Sequence, residues 1–222
     1  MKKTVWVTGV QKQTAMEAAI WFARHEYNVY VSTTDGSSVA TKFSQLSINF
    51  QQPDSIAEAV GVIDDQVGCL DLLVCCPGVE KVNDGVIGSG LDYEKLLNTL
   101  DVQVNGMKTL IDQCIPLLQK GKTKRIAMIT SKDSTISWNE ETTEFAYYMT
   151  LASINMMGKI YFNALRPEGF TFRWFGEGDK QQGMSAAHYI DLNLCYDEKE
   201  PYIHSDENRF VLRDSNYREI SW

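Results

Sequence analysis

The sequence is poor in the residues that build metal centres and disulfide frameworks. Its five cysteines, Cys69, Cys75, Cys76, Cys114 and Cys195, are odd in number and show no CxxC spacing. Its three histidines stand without ligand spacing, so no metal site is expected. A chain with this much apolar residue needs no covalent staples, and a reduced, cytoplasmic protein is the simplest expectation. Basic runs are also missing. The net charge is −8, and the densest cluster, Lys120–Arg125, lies between an expected helix and an expected strand. An acidic surface of this kind argues against nucleic-acid binding. No apolar stretch approaches a membrane span. The opening MKKTVWVTGV has two lysines but a short apolar run, so neither a leader peptide nor a membrane anchor is expected.

What is present is a steady alternation of short β-rich runs and longer helical patterns. The length of 222 residues suits one domain with a large core, over residues 1–222. Strands are expected at Thr4–Thr8, Asn28–Ser32, Leu46–Phe50, Leu70–Cys76, Arg125–Thr130, Thr171–Phe175 and Arg209–Arg213. Helices are expected over Thr14–His25, Pro53–Val67, two segments within Asp92–Lys120, and Phe145–Leu165, where apolar residues recur at helical spacing. A polar loop joins Lys132 to Glu144. The run LDLLVCC is nearly all apolar, as in a strand covered on both faces. Strand–helix alternation implies parallel pairing and right-handed crossovers. The expected fold is therefore α/β: a Rossmann-like, doubly wound three-layer sandwich of about seven parallel strands in the order 3-2-1-4-5-6-7. Ligands of such sheets bind at the carboxyl ends of the strands. This directs attention to Gly9–Met16, Ser32–Asp35, Cys75–Gly78, Ser131–Ser134 and Gly176–Asp179.

Those segments, taken in order, resemble the short-chain dehydrogenase/reductase family. The family opens with TG, three residues, G, one residue, G. Thr8-Gly9 matches, while Gln13 and Ala15 replace the later glycines. Its NNAG turn reads Cys75-Cys76-Pro77-Gly78. Its catalytic Asn falls on Gln103, with Asn105 the alternative in a register shifted by two. Its catalytic Ser falls on Ser131, and Tyr147–Met157 is similar to the YxxSKAAxNMM segment, with Tyr147 on the Tyr and Leu151 on the Lys. Leu165–Gly169 matches LRPxG, and Glu177-Gly178 replaces a PG pair.

The resemblance implies an NAD(P)-binding oxidoreductase, and its substitutions imply a changed chemistry. Catalytic positions are Ser131, Tyr147 and Gln103. Cofactor-binding positions are Gly9, Lys12, Gln13, Thr34, Asn49, Cys76 and Gly78. In the family a lysine clamps the nicotinamide ribose and lowers the tyrosine pKa. A phenol with a pKa of about 10 is a poor acid–base group near neutrality without such a cation. Leu151 can supply neither function. Lys132 is the nearest candidate in sequence for a relocated cation. Gln13 is expected to crowd the pyrophosphate. Lys12 precedes an altered glycine, where members preferring NADP often carry a basic residue. Asp35 falls one residue late for an NAD ribose. NADP is therefore the expected cofactor, weakly held. The expected function is binding of a small-molecule ligand or a protein partner with little ordinary dehydrogenase activity. An active NADP(H)-dependent carbonyl reductase with a rearranged site, or a non-redox enzyme on this fold, is the alternative. A homodimer or homotetramer is expected through helices near Leu96–Leu118 and Phe145–Leu165, where Met149, Ile154, Met156, Met157 and Tyr161 spread over more than one face. The short segment between the sixth and seventh strands leaves little chain for a lid over a bulky substrate.

Overall fold

The structure, a computed structural model, describes residues 2–88, 90–178, 183–192 and 206–222. Cys195, Asp179 and the acidic run Asp197–Glu200 lie outside the described residues. In chain order the main elements are β1 (Thr4–Thr8), α1 (Gln13–Arg24), β2 (Asn28–Ser32), β3 (Ser44–Gln45), α2 (Pro53–Val67) and β4 (Leu72–Cys75). There follow a small hairpin of β5 (Gly85–Val86) and β6 (Gly90–Leu91), α3 (Tyr93–Leu100) and α4 (Gly106–Lys120). The second half holds β7 (Arg125–Ser131), α5 (Phe145–Leu165), β8 (Thr171–Glu177), α6 (Ala186–Leu192), β9 (Leu212–Arg213) and β10 (Glu219–Ile220).

The large sheet runs β10-β9-β8-β7-β4-β1-β2-β3. All its pairings are parallel except β10 with β9. The doubly wound sheet and its strand order are those expected, with an antiparallel edge strand added. The third strand departs from its expected bounds. It pairs only at Ser44 and Gln45, and Leu46, Ile48 and Phe50 are buried downstream of the ladder. Their burial explains the error, because alternating apolar residues fill the core there without extending the sheet. The seventh strand is likewise shortened to Leu212–Arg213.

Strand β1 shows how the layers form. Trp6 faces one core with Ile56, Ile63, Leu110 and Ile154, beneath α2, α4 and α5. Val5 and Val7 face the other with Ala15, Phe22, Ala187 and Ile190, beneath α1 and α6. The period of two along a strand sends neighbours to opposite faces. The Trp6 indole donates to Ser32 Oγ at 3.0 Å, so its one polar atom is satisfied inside the core. At the amino ends of the strands the buried Asp71 carboxylate accepts from the backbone of Thr4 and of Lys122, both at 2.9 Å. This ties the starts of β1 and β7 to β4 and leaves the opposite end of the sheet for ligand.

Helix α5 lies against β8 through Gly158. A Cβ there would stand 2.2 Å from the Trp174 ring and 2.9 Å from Phe210. Overpacking of a filled core typically costs about 1–3 kcal/mol. Gly158→Ala is expected to lose stability in that range, read as a lower urea midpoint with unchanged slope.

Candidate functional site

The carboxyl ends of β1, β2 and β4 frame a cleft of about 500 Å³, lined by Lys12, Thr34, Asp35, Asn49, Gly78 and Gln103 among others. A recess of about 230 Å³ adjoins it, lined by Lys12, Cys76, Gly78, Ser131, Tyr147 and Leu151. Lys12 and Gly78 line both. Of the ten residues nominated from sequence, nine therefore lie on one of these two surfaces or in the turn that shapes them. Gln13 does not line either one. Its amide donates to Glu17 one helical turn on, at 2.7 Å.

Each position has a local cause. Gly9 has φ +73°, and a Cβ on it would stand 2.0 Å from the Cys76 carbonyl oxygen. Only glycine lets the first turn close onto the end of β4. Gly78 also has a positive φ, and the Lys12 side chain lies across it, with Cε 3.2 Å from the place of a Cβ. Gln11 donates to Thr34 Oγ1 at 2.7 Å and links the first turn to the end of β2. Ala15 is fully buried on the inner face of α1, where its methyl packs without disturbing the turn. Gln103 sits in a turn of π-helix, Asp101–Asn105, between α3 and α4. Its Oε1 is buried without a hydrogen-bond partner. Asn105 instead donates to Asp101 Oδ1 at 2.9 Å, which leaves Gln103 as the residue on the cleft.

The Ser–Tyr end is held by carboxylates. Asp84, itself buried, accepts from the backbone N–H of Phe145 and of Ala146, the first residues of α5. A carboxylate at a helix N-terminus satisfies donors that the helix cannot. This fixes the helix just ahead of Tyr147. Ser131 Oγ accepts from the backbone N–H of Asp133 at 3.1 Å, and Tyr147 donates to Asp133 Oδ2 at 3.4 Å. Burial holds the Tyr147 phenol above its ordinary range; the hydrogen bond with Ser131 and the charge of Lys81 pull the other way, and Asp133 adds to the rise. Leu151 is 2% exposed in the wall beside it.

Lys81 was not legible from sequence. It follows β4 on the loop that carries Gly78, far from Tyr147 in the chain. Its ammonium lies 5.4 Å from the Tyr147 ring centre and 5.3 Å from that of Tyr148. It donates to Tyr148 Oη at 3.0 Å and pairs with Glu144 at 3.3 Å. The first of these contacts, with Glu144 behind it, raises the Lys81 pKa, so the group stays charged. Lys132, the cation nominated from sequence, lines a neighbouring recess with Lys81 and Tyr148 rather than the one containing Tyr147. The nearest signal in the sequence was only a basic residue shortly after the altered NNAG turn.

Acidic groups crowd the same cleft. Asp35 lines it, and hydrogen bonds from Ser37 keep its carboxyl below the usual range. Glu80 pairs with Lys12 at 2.7 Å. Glu177, at the end of β8, accepts from Thr14 in the first turn of α1 and reaches the inner recess. Burial, with Glu177 next in importance, pushes the Cys76 thiol up to about 12. Cys75 is buried and raised as well. Both are packing residues, since a nucleophilic cysteine needs a thiolate.

A mostly parallel sheet with a cleft over the strand carboxyl ends, and a Ser–Tyr pair in the recess beside it, is the doubly wound Rossmann arrangement. A family model described as enoyl-(acyl carrier protein) reductase matches residues 9–172. The chain belongs to the short-chain dehydrogenase/reductase family, whose members are NAD(P)-binding oxidoreductases. It is 30% identical over 104 residues to the C-signal protein of Myxococcus xanthus, a match covering 44% of this chain and 63% of that protein, less than two thirds of its length. In structure it is similar over the whole of both chains to Sniffer of Caenorhabditis elegans, with TM-score 0.78 and 18% identity. It is also similar to a short-chain dehydrogenase from Leptospira borgpetersenii solved with bound NAD+, with TM-score 0.67 and 21% identity, over 83% of this chain and 72% of that one. At such identities the likeness is one of fold. A nicotinamide cofactor is plausible for this chain on its family membership.

The charges around Tyr147 give a direct test of the electrostatics. Asp133→Asn is expected to lower the ionisation pH of Tyr147, and Lys81→Met to raise it. Tyrosinate absorbance titrations, each compared with the same variant carrying Tyr147→Phe, isolate that one phenol. No shift in either variant would show that burial alone controls it, and shifts of the opposite sign would contradict the assignment of the charges.

Proposed function

We propose that this protein binds a nicotinamide dinucleotide or a related small molecule weakly in the cleft and transfers hydride poorly. The observation that carries the reading is Leu151, an apolar side chain buried beside Tyr147 where the family holds its lysine. Part of the site fits the cofactor. Thr34, Asp35 and Asn49 would hold the adenosine half, and the turn at Gly9 keeps the close approach that a pyrophosphate needs. The ribose end fits poorly, because a leucine donates no hydrogen bond. Bound nicotinamide supplies the hydride in this family. The chain's own part would be to orient a carbonyl oxygen with Ser131 and to hold a proton at Tyr147 Oη. Burial and Asp133 keep that proton on too tightly for efficient release near neutrality.

NADP(H) is favoured over NAD(H). Among the described residues lining the main cleft, Lys12 is the one cation, and a 2′-phosphate would pair with it. Asp35 and Glu80 oppose that gain and keep the binding weak. A second reading, an active carbonyl reductase, is favoured by Lys81, whose charge lies over the face of both tyrosines. Glu144 and Asp133 offset that charge, so it ranks second.

Titration calorimetry tests the binding half. NADP+ is expected to bind more tightly than NAD+, with Lys12→Ala removing most of the difference; tight NAD+ binding indifferent to Lys12 would contradict the reading. A screen of ketones, aldehydes and sugars, following NADPH absorbance, tests the catalytic half. Little turnover is expected, and Leu151→Lys alone is not expected to restore it, because groups that act as a unit fail together. Turnover on the order of 1 s⁻¹ that Tyr147→Phe abolishes would establish the active reductase instead.

Homodimer formation is proposed through α3 and α5. Ile154 and Met157 belong to the core and do not serve an interface. Leu97 is 64% exposed, Met156 62% and Ile160 61%. Large apolar side chains so exposed on adjoining helices favour a partner surface. Light scattering is expected to give a dimer mass at micromolar concentration, with Ile160→Asp shifting it toward monomer.

A further inference from the structure

We propose that Glu80 is the specificity-determining residue of the cleft: it competes within the molecule for Lys12, the cation that would receive an anionic group of the ligand. This rests on the reading of the cleft as a nucleotide site and adds what limits its affinity for phosphate-bearing ligands.

The geometry of Lys12 is fixed from its backbone outward. Its N–H donates to the Gly9 carbonyl at 2.9 Å, and its carbonyl accepts from Met16 at 3.2 Å, so the residue is locked at the start of α1. From there the side chain passes over Gly78, whose missing Cβ leaves it room. It ends on Glu80 Oε1 at 2.7 Å. Lys12 thus lies on the border between the main cleft and the Tyr147 recess, and lines both. A phosphate entering either space meets a cation that already has a partner.

Glu80 is a suitable competitor because it is weakly held. Its side chain is 74% exposed, against 37% for Lys12, and Lys12 is the one ion-pair partner recorded for it among the described residues. The hydrogen bond and charge of Lys12 keep its carboxyl below the usual range, so it is ionised near neutrality. An exposed pair of this kind is readily broken and is worth little in stability. A ligand phosphate can displace the carboxylate, but it must give up part of its own gain to do so. The displaced Glu80 also stays nearby as a like charge beside the bound phosphate. Asp35 cannot play the same part, because its carboxylate is turned onto the backbone N–H of Ser37 at 2.9 Å.

The test uses adenosine 2′,5′-bisphosphate as the phosphate-bearing probe and adenosine as the uncharged control, titrated into the full chain by calorimetry at low ionic strength. Glu80→Gln is expected to bind the bisphosphate roughly two- to fivefold more tightly than wild type, the scale of an exposed ion pair, with adenosine affinity unchanged. The gain should vanish when Lys12→Ala is added and shrink in high salt. Equal bisphosphate affinity in wild type and Glu80→Gln would overturn the proposal while leaving the nucleotide cleft standing. So would an equal gain for adenosine. Failure of every variant to bind either probe would overturn the cleft reading and the proposal together. Because Glu80 is a surface side chain, loss of fold is not expected, and matching urea midpoints would confirm that the comparison is sound.

Discussion

The site depends on one close approach. Gly9 and the Cys76 carbonyl meet where β1 and β4 end side by side, at a separation no side chain permits. This contact brings the first turn, which carries Lys12, against the turn that carries Gly78. It also leaves the carboxyl ends of β2 and β7 open on either side. Gln13 and Ala15 replace residues that in the family serve the same turn, yet the turn persists. Gln13 is directed along α1 and Ala15 is absorbed into the core. The backbone contact at Gly9 is therefore the stricter requirement, and the later positions tolerate change around it.

The charges around this cleft, more than its shape, depart from the family's pattern. The walls are in place, with Thr34 and Asn49 on one side and Ser131 and Tyr147 on the other. What has shifted is the sign and location of the ionised groups. A lysine position has become leucine, a different lysine approaches the tyrosines from another loop, and carboxylates stand at Asp35, Glu80, Asp133 and Glu177. An anionic cofactor gains from cations and helix N-termini and loses to each carboxylate left unpaired near it. Burial, with Asp133 adding to it, explains why Tyr147 holds its proton while a cation lies over its ring.

Much of the architecture was legible because it rests on local periodicity. The alternating Trp6 and Val7 of β1, and the helical spacing in α1, α2 and α5, mark their elements directly. The sheet order followed from the crossover rule and from the series of motifs at strand ends. The third strand was misplaced because Leu46, Ile48 and Phe50 alternate like a strand while packing as a buried loop. The antiparallel edge strand β10 has too few residues to show a period. In the site, Ser131, Tyr147 and Gln103 could be placed by register. Lys81, Asp84 and Glu80 could not. Each acts across many residues of sequence, from a loop with no periodicity, and only the folded chain sets Lys81 on the tyrosines or Asp84 on the start of α5. The direction of Gln13 was misjudged for a related reason: a long amide one turn before a glutamate has a partner within its own helix.

The loop after β4 is held at both ends. At one end Glu80 grips the border of the cleft, and a few residues on Asp84 grips the amide groups that open α5. Between them Lys81 rests on Tyr147 and Tyr148. The loop thus runs from the mouth of the cleft to the helix that carries the tyrosine. One short stretch of chain thus touches both the mouth of the cleft and the start of the helix that carries Tyr147, the first through an exposed ion pair and the second through a buried carboxylate.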